Sequence, residues 1–155
     1  MIPSSDDRLA SVVRALTDVI MPSLPPEAGL AQEQIQLVIG QIQILRAQLD
    51  AAPAFEAEEA EDARALGKAL IAAGEGGGET TAALAELKAA TEAQGAAREA
   101  RVAIHTAIDR LVKSTADDGS AAFRKAIGKI IVTMQTDRTI KDRKWFAPMG
   151  FDSGI

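Results

Sequence analysis

The stretch LAQEQIQLVIGQIQILRAQL, Leu30 to Leu49, decides the fold class. Ile35, Val38, Ile42, Leu45 and Leu49 recur in steps of three and four, which is the spacing of a coiled-coil-like seam on one helix face. Leu30, Leu37 and Ile44 add a second stripe seven residues apart, beside Ile39. Two apolar stripes exceed what one neighbouring helix covers, so this helix is expected at the centre of a bundle or at a subunit interface. The interleaved Gln34, Gln36, Gln41, Gln43 and Gln48 carry no charge, as suits a partly buried flank. The helix is predicted to begin near Pro26 or Glu27, since proline is tolerated in a first turn, and to end before a break over residues 50–53.

Upstream, Ser4, Ser5 and Asp6 offer N-caps, and Leu9, Val12, Val13, Leu16, Val19 and Ile20 follow helical spacing. That predicts a helix over residues 5–21, stopped by Pro22, Pro25 and Pro26. Downstream, residues 54–73 read as a helix thin in large side chains, with acids in its N-terminal half where the helix dipole favours them. Gly74-Glu75-Gly76-Gly77-Gly78 reads as a flexible loop. Residues 80–114 read as one long helix or as two pieces hinged near Gly95, with only alanine to bury between Ala89 and Ala100. Asp117-Asp118-Gly119-Ser120 supplies a turn and a cap for a last helix, from about Ser120 to Gln135. From Thr136 onward apolar periodicity fails. Trp145, Phe146 and Phe151 are three of the five aromatic residues, so the final segment is expected to dock, either on its own bundle or on a second subunit.

The expected fold is therefore all-α: an antiparallel bundle of four or five helices over residues 1–135, with an extended aromatic C-terminal tail over 136–155. Composition agrees. Of 155 residues 31 are alanine, while aromatics make up only 3%, a balance that closely packed helices tolerate and sheets disfavour. There is no cysteine and one histidine, which excludes disulfide frameworks, thiolate sites and multi-histidine metal centres. The apolar runs fall short of a membrane span and the N-terminus lacks the pattern of a secretory signal, so a cytoplasmic protein without membrane contact is expected.

The formal charge of −5 is unevenly spread. Residues 1–97 hold 6 Lys/Arg against 15 Asp/Glu, or −9, whereas residues 98–155 hold 11 against 7, or +4. An acidic body of this kind argues against nucleic-acid binding. The basic cluster Arg124, Lys125, Lys129, Arg138, Lys141, Arg143 and Lys144 reads as a solvated helix face and tail; an acidic partner, a phosphate or the acidic half of a second copy is the alternative.

His105 is the only imidazole, with Arg101 and Asp109 one helical turn before and after it. Asp109 would orient the ring if it acted as a base, but no nucleophile is marked beside it, and a histidine flanked by Ile104 and Ile108 suits a core flank. Val102 stands where a helical carboxylate metal site needs a glutamate three residues before the histidine. The acids from Glu56 to Asp62 are spread around the helix axis and read as a solvated helix N-terminus. The segment from Gly74 to Thr81 lacks the lysine and the preceding strand of a phosphate loop. No catalytic, cofactor or metal site is assigned. The candidate interface residues are Leu30, Leu37, Ile44, Trp145, Phe146 and Phe151, and the weaker polar candidates are His105, Asp109 and Arg101.

The segments Leu9 to Leu16, Val19 to Leu24 and Ile44 to Leu49 resemble a group of uncharacterised bacterial helical proteins that occur beside, or fused to, aminoglycoside-phosphotransferase-like kinases and acyl-CoA dehydrogenases. The likeness spans about the first third of the chain. It departs at Gly40 or Gln41, where an asparagine is expected, and at Gln48, where a glutamate is expected. The resemblance implies an accessory role near acyl-CoA or phosphotransfer metabolism and carries no catalytic residue. The expected function is accordingly a non-catalytic interaction protein that forms a homodimer, with a possible protein partner at the tail. The alternative is a helical bundle that binds an acyl-type small molecule, its head group meeting Arg138 to Lys144.

Overall fold

Capping and proline chemistry set the ends of the first helix. In the computed structural model, which describes residues 2–146, α1 spans Ser5–Arg14. Ser4 closes it with a capping box: its hydroxyl accepts from the Asp7 amide at 3.1 Å while the Asp7 carboxylate accepts from the Ser4 amide at 3.1 Å. The same rod continues as a π-helical stretch, Ala15–Ile20, and a final turn, α2 (Met21–Ser23). Pro22 has no amide and crowds the carbonyl four residues back, and the widened π stretch accommodates it. The helix thus runs two residues past the expected stop, until Pro25 forces Leu24 into extended backbone (ψ 139°).

α3 follows as Gly29–Gln48, close to the span expected from its apolar seam. By backbone contacts the chain divides into two compact units, Met1–Pro53 and Ala54–Ile155. In the first unit α1 and the π stretch lie against α3, and Arg46 on α3 forks onto Asp6, with nitrogen–oxygen distances of 2.7 and 3.0 Å. No described residue of this unit is buried.

The second unit carries the core. Its helices are α4 (Ala52–Ala73, whose first two residues precede the boundary), α5 (Gly78–Glu92), α6 (Ala97–Asp118) and α7 (Ala121–Phe146). Residues 80–114 are therefore two helices, broken around Gly95. All four helices contribute to one core, in which Leu70, Leu87, Ile104, Leu111 and Phe123 are fully buried. α5 and α6 are the most closely packed pair, and Ala83, Ala100 and Ala107 are the small buried side chains that allow it. α4 crosses α5 at Gly67, where a Cβ would lie 2.6 Å from the Thr91 hydroxyl oxygen.

The loop before α5 is pinned rather than flexible. The Asp118 carboxylate, at the end of α6, accepts from the backbone amides of Glu79 (2.8 Å) and Thr80 (2.9 Å), so the first turn of α5 is capped from another helix. Gly77 donates to the Asp118 carbonyl and Ser120 donates to that of Glu75, forming an isolated bridge between Gly76 and Gly119. A Cβ on Gly77 would strike the Asp118 carboxylate, and this close approach is why the loop is glycine-rich. Hydrogen bonding holds the Asp118 carboxyl below its ordinary value, the Thr80 hydroxyl contributing most. Ser120 caps α7 by accepting from the Phe123 amide at 3.0 Å.

The last helix does not stop near Gln135. Residues 136–146 are its final turns, not an extended tail, because contacts of Arg138, Lys141 and Trp145 with α4 take over where aliphatic burial ends. Residues 147–155, including Phe151, lie outside the described residues.

Two glycine substitutions test this packing. Gly128 lies exposed in α7 with open space around its Cα, so Gly128→Ala should stabilise the protein by about 0.5–1 kcal/mol through helix propensity. Gly67→Ala gains the same propensity but must displace the buried Thr91, so it should lower the melting temperature. Thermal denaturation followed by circular dichroism checks the opposite signs.

Candidate functional site

The N-terminal half of α4 places Phe55, Glu58, Glu59 and Asp62 within two turns. Glu59 is 2% exposed. A carboxylate there requires positive charge, and two other helices supply it. Arg101 of α6 reaches Glu59 Oε2 at 3.2 Å, and Arg138 of α7 reaches the same oxygen at 2.7 Å. The second oxygen, Oε1, is buried without a hydrogen-bond partner. The expectation that the acids from Glu56 to Asp62 form a solvated helix N-terminus thus fails at Glu59. The basic cluster is also not simply solvated: Lys141 meets Asp62 at 2.6 Å and Glu58 at 3.8 Å, and Arg138 also approaches Asp142 at 3.7 Å. The Asp62 hydrogen bond holds the Lys141 ammonium above its ordinary value.

One turn beyond these pairs, Trp145 of α7 stacks on Phe55, with ring centroids 4.2 Å apart and planes 18° apart. Trp145 is half-buried and Phe146 is exposed at the end of α7.

His105 opens onto a cavity of about 110 Å³ between α4, α6 and α7. Ala63, Leu66 and Met134 form its apolar wall, while Asp62, Asp137, Arg138 and Lys141 supply two negative and two positive charges that cancel. Burial lowers the His105 pKa, and the positive fields of Arg138 and Arg101 add to the effect; Glu59 and Asp109 oppose it weakly. Arg101 and His105 therefore belong to one cluster, with Glu59 as its centre. Asp109 is exposed on the same helix and is not part of the cavity wall. A neutral imidazole among cancelling charges can exchange a proton, and its neighbours include no hydroxyl or thiol nucleophile among the residues lining the cavity. Among the described residues no group of three or more acids and histidines has the arrangement of a metal site.

The apolar interface candidates lie elsewhere. On α3, Leu30 is 73% and Leu37 61% exposed, and Leu45, which was read as part of the seam, is 54% exposed; Ile44 is half-buried. Sequence reasoning missed Glu59, Arg138 and Asp118 as organising residues. The signal that would have found Glu59 is its place three residues before Asp62 and four after Phe55, on the face that becomes buried.

Comparison with protein-family models, with curated proteins and with solved structures returns no match. Among the described residues no helix is long and apolar enough to cross a membrane.

Two outcomes test the cluster. Glu59→Gln leaves two guanidiniums facing a neutral amide and should cost about 2–3 kcal/mol in chemical denaturation, whereas Glu61→Gln, on an exposed acid of the same helix, should cost well under about 1 kcal/mol. Folded His105 also holds its proton less tightly than the unfolded chain, whose imidazole titrates near 6.5. Its contribution is complete above that value and is lost as pH falls toward the lower folded value. His105→Gln should therefore flatten the fall in melting temperature just below pH 6.5.

Proposed function

We propose that this protein is a non-catalytic interaction protein that self-associates through α3. The observation that carries the reading is the exposure of Leu30, Leu37 and Leu45 on a unit without one buried described residue. Large aliphatic side chains spaced by seven and eight residues on one helix favour pairing with another helix of the same pattern. A second copy supplies that pattern, and two-fold pairs predominate among soluble oligomers. The uncharged glutamines Gln34, Gln36, Gln41 and Gln43 fit the flanks of such a seam, and Glu33, between Leu30 and Leu37, is the charge that a pairing must leave at its edge.

In this reading the four helices α4 to α7 are an antiparallel bundle that serves as a stable body, and the hairpin of residues 1–53 is the adhesive element. The likeness of the first third of the chain to helical proteins found near acyl-CoA and phosphotransfer enzymes favours an accessory role. The acyl-binding alternative has weaker support. The cavity beside His105 has about 110 Å³, and the larger cleft beside Lys141, about 370 Å³, is open and lined by Glu58, Glu61, Asp62 and Arg64 rather than by large apolar side chains.

Light scattering at micromolar concentration should give the mass of a dimer. Leu37→Glu combined with Leu45→Glu should give the monomer mass, with the melting of the second unit retained. A wild-type monomer would overturn the self-association reading.

A further inference from the structure

The contacts between α4 and α7 form a line of three. Phe55 stacks on Trp145, Glu58 and Asp62 meet Lys141, and Glu59 meets Arg138. From Phe55–Trp145 through Glu58–Lys141 to Glu59–Arg138 residue numbers rise along α4 as they fall along α7, so the two helices run antiparallel here, and Lys141 also reaches back across to Asp62. The first half of α7 is held differently, by burial of Phe123 and Ile127 and by packing of Ile130, Ile131 and Met134 against the core. Beyond Met134 the described attachments to α4 are charges and one ring pair, and Ile140 is exposed. The Lys141 pairs with Glu58 and Asp62 are partly exposed and weak, while the Arg138 pair rests on the buried Glu59, where a change in neighbouring charge is little screened.

His105 is placed to make that change. Glu59 and Asp62 approach it from α4, Arg101 and Asp109 from its own helix, and Asp137, Arg138 and Lys141 from α7. Around Glu59, one carboxylate already answers two guanidiniums. A proton on His105 adds a third positive charge beside that single buried negative one. Arg101 sits in the second turn of α6, with the buried Ile104 and Ile108 following it on the same helix, whereas Arg138 sits on the half of α7 that lies beyond its buried apolar residues. Arg138 is the cation that can leave.

We propose that residues 136–146 of α7 form a latch that opens when His105 takes up a proton, separating Trp145 from Phe55. Burial and the two arginines make the imidazole harder to protonate than a free one, so opening belongs to acidic rather than neutral solution.

Trp145 is the only tryptophan and His105 the only histidine, so each can be followed without interference in the full chain. Tryptophan emission and its quenching by acrylamide would be recorded from about pH 8 to about pH 5, the range of histidine switching, with far-ultraviolet circular dichroism in parallel. The expected result is a shift of emission to longer wavelength and stronger quenching while most helicity persists. His105→Gln should hold the high-pH signal throughout. An invariant wild-type signal would overturn the proposal, as would the same transition in His105→Gln, which would assign it to a group other than the imidazole. Titration of the His105 ring by proton NMR supplies a test without substitution. Its midpoint must coincide with that of the Trp145 signal, and separate midpoints would equally defeat the latch.

Discussion

A carboxylate can lie inside a helical core only where positive charge reaches it, and Glu59 draws that charge from two helices at once. Arg101 and Arg138 converge on one oxygen, so α4, α6 and α7 have a polar junction beside their apolar core. Desolvating a charge is costly, and the pairing does not by itself imply a gain over an apolar residue. What it fixes is register. A slip of α7 by one residue would take Arg138 away from Glu59, Lys141 away from Asp62 and Trp145 away from Phe55. The same junction governs His105, whose surroundings are arranged by the guanidiniums rather than by Asp109.

Around this junction the second unit divides its labour by side-chain size. Alanines bring α5 and α6 together, Gly67 lets α4 cross at Thr91, and Leu70, Leu87, Ile104, Leu111 and Phe123 fill the interior. The first unit is built on the opposite plan. It has large aliphatic residues in plenty, yet its described residues stay partly or fully exposed, and a forked Arg46–Asp6 pair ties its helices.

Helical class was legible because aliphatic periodicity is strong in residues 5–49, and the Ser4 and Ser120 caps stand at places where helix starts were expected. Gly95 marked the break between α5 and α6. The course of residues 136–146 was illegible to the same method. Their helical repeat is written in Arg138, Lys141 and Trp145, and a search for apolar spacing passes over it. Glu59 was hidden for a related reason: five acids within seven residues look uniformly solvated until the partner helix is in place. The candidate polar residues Arg101 and His105 were visible as a local pair, but the organising Glu59 lies 42 residues from Arg101. Distance along the chain, rather than weak chemistry, concealed the cluster.

The cap that Asp118 places on α5 also bears on how the molecule assembles. Glu79 and Thr80 lie 39 and 38 residues before the carboxylate that receives their amides. Neither helix end is complete until both helices have formed and turned back on each other. The α5–α6 hairpin should consequently open and close as one foldon, its first-turn amides exchanging with solvent only when the pair comes apart. Fraying, which usually begins at a helix terminus, has at this end of the second unit no independent place to start.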